Sequence, residues 1–183
     1  MRLFFAVEFD DKTRDVLTDK QNMLKRNTLK ANFTLRDNLH LTLRFIGEVQ
    51  PSDLPVLTEI QNLVSGRHNP FTLEISKIGT FGRGTGTIVW AGIKESRELT
   101  ELQRDLENEI AARGFKPENR PYKPHITLAR EFVPAGDIDK IINGIGILQH
   151  KFDVRSISLM ESTRVNGKLT YLCIYRTYIS KEK

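Results

Sequence analysis

Residues 38–43, NLHLTL, and residues 123–128, KPHITL, carry the same tetrapeptide in variant form: His, an aliphatic residue, Thr and Leu. The chain has four histidines, and two of them, one in each half, stand in this pattern. Side chains alternate between the two faces of a strand. If both segments are strands, His40 and Thr42 share one face while Leu41 and Leu43 point the other way into a core. His125 and Thr127 stand in the same way against Ile126 and Leu128. Each copy then offers an imidazole and a hydroxyl side by side, anchored behind by two aliphatic residues.

The surroundings support that reading. RLFFAVEF (2–9) is β-branched and aromatic and stops at Asp10, which reads as a strand. Residues 11–29 read as a helix with Asp10 or Asp11 as N-cap, and NFTLR (32–36) as a short strand. LHLTLRFIG (39–47) is a longer strand. Pro51 opens a helix whose Leu54, Leu57, Ile60, Leu63 and Val64 recur at helical spacing. FTLEISKIG (71–79) and TIVWAGI (87–93) read as strands. Between Ser96 and Arg113, Leu99, Leu102, Leu106 and Ile110 form a clean helical stripe, with Gly114 as the stop. HITLAR (125–130) is again a strand, followed by a short helix near 137–143. Two alternating segments close the chain, 152–162 and 169–179. Asn166-Gly167 between these two is the favoured dipeptide of a two-residue hairpin. Both His-bearing strands follow an amphipathic helix. The expected fold is therefore α+β: one bilobal domain over 1–183, built as a duplicated unit with two antiparallel-rich sheets flanked by helices and a central groove.

Composition bounds the function. The 183 residues are 39% hydrophobic and 28% charged, as in ordinary globular proteins. No apolar run approaches the roughly 20 residues that span a bilayer, and LFFAVEF is too short for a signal-peptide core. Cys173 is the single cysteine, which excludes a disulfide framework; its setting, YLCIY, predicts a small buried hydrophobe. These features point to a cytoplasmic monomer with no membrane partner. A net charge of +5 suits an anionic partner such as nucleic acid or phosphate, although no Lys/Arg tract resembles a binding tail.

If the two lobes face each other, two imidazoles and two hydroxyls converge, a set suited to phosphodiester chemistry without a metal. One imidazole takes a proton from the attacking water while the other gives one to the departing alkoxide. Histidine serves both roles because its ordinary pKa, about 6.5, lies near working pH. Threonine hydroxyls would donate to the non-bridging phosphate oxygens. A catalytic zinc asks for about three protein ligands, and no His-Glu or Cys cluster stands beside either copy, so no metal or other cofactor is expected. His68 (GRHNP) and His150 (LQHKF) lie in polar contexts and read as surface residues. Strict alternation puts Arg44 on the His40 face and leaves Arg130 out of phase with His125. The glycine-rich stretch GTFGRGTG (79–86) lacks the ending of a phosphate loop and reads as a flexible loop beside the groove. Phe81 or Trp90 could stack on a base, yet an aromatic near a strand is more often core.

MRLFFAVEF at the start, DNLHLTLRFIGEV (37–49), RPYKPHITLAR (120–130) and LMES (159–162) together resemble the two-histidine phosphoesterases, in particular the RNA 2′,3′-cyclic phosphodiesterases, also called 2′-5′ RNA ligases. The resemblance runs from residue 1 to about 178. It implies hydrolysis of RNA ends bearing a 2′,3′-cyclic phosphate, tRNA fragments among them, to 2′-phosphate ends. It makes His40 the general acid and His125 the general base, roles that could be exchanged. Thr42, Thr127 and Arg130 would bind the phosphate, and Phe5 and Phe45 would stack the terminal base. Ligation of RNA halves through a 2′-5′ bond is the reverse of the same chemistry. An RNA-end-binding module without turnover is the alternative from a different class.

Overall fold

The computed structural model describes residues 1–82, 86–146 and 149–180. Nine strands and four helices follow in the order β1 (Arg2–Glu8), α1 (Asp11–Lys25), β2 (Thr28–Phe33), β3 (His40–Glu48), α2 (Leu54–Ser65), β4 (Phe71–Phe81), β5 (Ile88–Ile93), α3 (Arg97–Ala112), β6 (His125–Pro134), α4 (Ile138–Ile145), β7 (His150–Val154), β8 (Ser156–Val165) and β9 (Lys168–Tyr178), among the described residues. They form two antiparallel sheets, β3-β1-β8-β9 and β2-β6-β5-β4-β7. Helices α2 and α3 pack against the first sheet and α1 and α4 against the second, while β3 lies against β6 where the sheets meet. The α+β architecture with two flanked antiparallel sheets is the one the patterning implies.

Sequence periodicity accounts for most of the elements. On α3 the stripe Leu99, Leu102, Leu106 and Ile110 is at most 2% exposed, each side chain contributing about 1.5–3 kcal/mol by burial. Ser96 caps this helix by accepting from the Leu99 N–H, and Gly114, with φ +83°, ends it. Asp10 caps α1 in the same way through the Thr13 N–H. The turn between β8 and β9 takes Asn166 and Gly167 through φ +50° and +78°, the left-handed pair of a type I′ hairpin. One apolar cluster runs through both sheets, from Leu3, Phe5 and Val7 of β1 to Val89, Ala91 and Ile126 of β5 and β6. Two buried glutamines tie helices to strand backbones: Gln21 of α1 donates to the Thr34 and Leu128 carbonyls, and Gln61 of α2 to that of Ile157.

Several local expectations are corrected. The helix expected over 11–29 ends at Lys25, because Thr28–Phe33 pair with β6 instead; the strand expected at 32–36 is this earlier one, and Arg36 already lies in a 3₁₀ turn. The segment 152–162 is not one strand. Val154 ends β7, which pairs with β4 in the second sheet, and Ser156 begins β8, which pairs with β1 in the first. Cys173 is exposed, not buried, because β9 is the edge of its sheet and leaves most of its side chains open. Within the glycine-rich stretch, residues 83–85 lie outside the described residues.

Candidate active site

The two tetrapeptides occupy matching places. His40 begins β3 opposite Glu8 of β1, and His125 begins β6 opposite Gly92 of β5. Leu41, Leu43, Ile126 and Leu128 are at most 2% exposed, which fixes the face that the histidines and threonines present. Both strands then bulge at the same motif position. The ladder skips Leu43 between Thr42 and Arg44, and skips Leu128 between Thr127 and Ala129. A bulge inserts one residue and re-aims those that follow. It returns Phe45 and Arg130, each three residues past its threonine, to the groove face.

That geometry explains the out-of-phase Arg130 and corrects the placing of Arg44. Arg130 lines the cavity with His125 and Thr127. Arg44 does not share it: its guanidinium is nearly buried, paired with Glu107 of α3 and donating to the carbonyls of Phe45 and Lys116.

A cavity of about 400 Å³ collects His40, Thr42, Phe45, His125, Thr127 and Arg130 at the seam between the sheets. Phe5 is not among these residues. Its side chain is fully buried in the core, on the opposite face of β1, and Phe4 reaches the cavity in its place. Parity could have found this, since Leu3, Phe5 and Val7 form the apolar set of RLFFAVEF while Glu8 marks the face carrying Phe4 and Ala6. The Phe45 ring is 40% exposed and lies under the Arg2 guanidinium, 5.0 Å from its centroid.

Both imidazoles are oriented alike. His40 Nδ1 lies 2.7 Å from the Asn38 carbonyl and His125 Nδ1 2.7 Å from the Lys123 carbonyl. A carbonyl only accepts, so each Nδ1 carries the proton of the neutral ring and each Nε2 is its unprotonated nitrogen. Tyr122, just ahead of the second copy, donates its hydroxyl to the Thr42 carbonyl at 3.0 Å and so fastens one copy to the other. Burial raises the Tyr122 phenol well above its ordinary value.

The environments differ. The His40 ring sits 4.9 Å from Phe4 and 5.0 Å from Tyr171, and its Nε2 is 2.9 Å from the Thr42 hydroxyl. Burial lowers its pKa from 6.5 to about 4; the Asn38 carbonyl opposes the shift, while the charges of Arg130 and His125 add to it. His40 is neutral at pH 7. Asn38, itself buried, donates through its side chain to the Leu169 carbonyl and accepts from the Tyr171 N–H, tying His40's support to β9. His125 meets the edge of Phe81 at 5.0 Å, and among the described residues its Nε2 has no hydrogen-bond partner. Phe4, Asn38 and Tyr171 were missed by sequence reasoning. Asn38 and Tyr171 act through β9, far along the chain, and no local spacing signals that contact.

The remaining histidines are half-buried rather than free surface groups: His68 pairs with Asp105 at 2.9 Å and His150 with the Thr13 hydroxyl at 2.9 Å. Among the described residues no three His, Cys, Asp or Glu side chains gather as metal ligands would. No helix among them is long and apolar enough to cross a membrane.

A sequence model of the 2′-5′ RNA ligase superfamily matches residues 20–166. The chain belongs to that superfamily, the two-histidine phosphoesterases. It is 32% identical over 171 residues to a Methanothermobacter thermautotrophicus protein named RNA 2′,3′-cyclic phosphodiesterase, covering 93% of this chain and 91% of that one. A protein of the same name from Aeropyrum pernix is 33% identical over 76% of this chain and 81% of its own. Among solved structures, Escherichia coli LigT complexed with 3′-AMP superposes with a TM-score of 0.79 at 28% identity over 98% of both chains. A Thermus thermophilus structure superposes at 0.84 over both full chains at 24% identity, a likeness of fold.

Proposed function

We propose that this protein hydrolyses RNA ends carrying a 2′,3′-cyclic phosphate to 2′-phosphomonoesters, with His40 as general acid, His125 as general base and no metal required. The observation that carries this reading is the pair of His-x-Thr motifs on one cavity with Arg130, each imidazole held through Nδ1 by a main-chain carbonyl. The names of the relatives from two archaea support the substrate class.

In the reaction, His125 Nε2 takes a proton from water as its oxygen bonds to phosphorus. The bond from phosphorus to the 3′ oxygen breaks, and His40 Nε2 supplies that oxygen's proton, leaving a 3′ hydroxyl and a 2′-phosphate. Thr42, Thr127 and the bidentate fork of Arg130 hold the non-bridging oxygens, where charge accumulates. The free protein holds His40 neutral, so the acid must gain its proton in the complex. Burial is the main cause of the low His40 pKa. A phosphate anion placed between His40, His125 and Arg130 removes the lesser, cationic contribution and adds an opposite charge that favours the protonated imidazole. Phe45 and Phe4 offer ring faces to the terminal base. The substrates would be cleaved RNAs, tRNA fragments among them, acted on by a monomer.

The test is a short RNA ending in a 2′,3′-cyclic phosphate, incubated with the protein in EDTA and analysed for its end group. Conversion to a 2′-phosphate is the expected result. Loss of turnover in EDTA would return the reaction to a metal, joined RNA as the main product would favour 2′-5′ ligation, and binding without turnover would leave an RNA-end-binding module.

A further inference from the structure

The cavity between the histidines is at the small end of the roughly 300–1,000 Å³ that single-ligand sites occupy. It has room for a terminal nucleotide, and a longer RNA must continue elsewhere. A second cavity of about 890 Å³ opens beside it, between the face of the second sheet and the start of α3, and His125 is a wall of both.

The floor of this second cavity is aromatic. Trp90, on β5, stands across from Thr127 and lies flat on the sheet, because Gly79 and Gly92 leave room for its ring. A Cβ at Gly79 would meet that ring at 2.4 Å and one at Gly92 at 3.0 Å. Phe81 follows, its centroid 5.0 Å from Trp90 at 34°, and then meets His125 edge-on at 5.0 Å. A continuous ring surface thus leads from the second cavity to the reacting nitrogen.

The rim is cationic. Lys77, Arg104 and Lys123 line it, and among the described residues none of the three is in an ion pair. Of the two carboxylates on the rim, Glu101 is taken by Arg97 at 2.8 Å, which leaves Glu95 against three free cations. The third cavity at the groove shares Phe81, Lys123 and His125 with this one, but its two arginines are committed, Arg44 to Glu107 and Arg120 to Glu118.

We propose that the cavity over Trp90 binds the RNA body, meaning the single-stranded nucleotides 5′ to the cyclic end, with bases stacking on Trp90 and Phe81 and phosphates meeting Lys77 and Arg104. Flat aromatic platforms beside free cations are how single strands are held without base readout. The proposal rests on the cyclic-end reading above and extends it from a terminal group to a strand.

Trp90 is the single tryptophan of the chain, so its emission reports this cavity directly. The protein is titrated with a tetranucleotide ending in a 2′-phosphate and, separately, with a mononucleoside 2′-phosphate. In parallel, KM is measured for the matching cyclic tetranucleotide and cyclic mononucleotide, in the parent and in Lys77→Glu/Arg104→Glu. The tetranucleotide should quench Trp90 and the mononucleotide should not. In the parent the tetranucleotide's KM should lie at least about tenfold below the mononucleotide's, and the double variant should erase that gap while leaving the mononucleotide's kcat/KM unchanged. Equal quenching by both, or a gap that survives in the double variant, overturns the proposal. If neither cyclic RNA is turned over, the cyclic-end reading fails, and the quenching in parent and double variant still decides the subsite.

Discussion

His40 and His125 begin equivalent strands, precede equivalent threonines and bulges, and give their Nδ1 protons to equivalent carbonyls two residues upstream. Their surroundings diverge from there. His40 is enclosed by Phe4 and Tyr171, bonded to Thr42, and supported by an asparagine pinned to another strand. At the corresponding place ahead of His125 stands the exposed Lys123, and one aromatic edge, Phe81, meets the ring. Duplication supplies two copies of one His-x-Thr unit, and burial among its neighbours lowers the proton affinity of His40.

The strongest way to break the comparison is to remove each histidine. His40→Ala and His125→Ala should each lower kcat by about 10²–10⁴-fold, with the double variant well short of the product of the two losses, because the groups act as a unit. Steady-state kinetics with a cyclic-phosphate RNA reads this. A single variant near parental activity would remove that residue from the mechanism.

The next effect concerns stability and separates the copies. The pKa of His40 is depressed from 6.5 to about 4 in the folded protein, so at pH between these values the unfolded chain binds a proton that the folded one does not. Stability is therefore full above pH 6.5 and falls as pH drops toward 4, by up to about 3 kcal/mol from this group. Urea unfolding across pH 4–7 should show that slope in the parent and a shallower one in His40→Asn.

How much of this was readable beforehand depended on how local the cause was. The tetrapeptides, the α3 stripe and the Asn166-Gly167 turn are short-range patterns, and the structure follows them. The two bulges are not written in periodicity: nothing in LTLRF or ITLARE says that the ladder skips a leucine, and so Arg44 was placed in the groove while Arg130 was left out of phase. Phe5 was misplaced for a different reason, since two adjacent phenylalanines needed the parity of the whole strand to be told apart. The asymmetry between the copies was the least legible part. It comes from β9, whose Leu169 and Tyr171 reach Asn38 across most of the chain.

Asn38→Ala tests that asymmetry. It leaves the Leu169 carbonyl and Tyr171 N–H without their partner and should cost about 1–3 kcal/mol, read by urea or thermal unfolding, whereas Lys123→Ala should be close to neutral. Equal effects would show that β9 gives the first copy no special support. The smallest expected difference lies between the threonines. Thr42→Ala and Thr127→Ala should each lower kcat by about tenfold or somewhat more. Only Thr42→Ala should also move the pH dependence, because of the two threonines only Thr42 is bonded, among the described residues, to an imidazole nitrogen.

The assignment of acid and base is tested most directly by changing the leaving group. In a nucleoside 2′,3′-cyclic phosphate whose bridging 3′ oxygen is replaced by sulfur, the departing thiolate needs no proton. With His40 as the acid, His40→Ala should recover most of its loss on that substrate while His125→Ala stays as impaired as on the oxygen substrate. Recovery by His125→Ala alone would exchange the two roles, and recovery by neither would contradict the acid–base account of the pair.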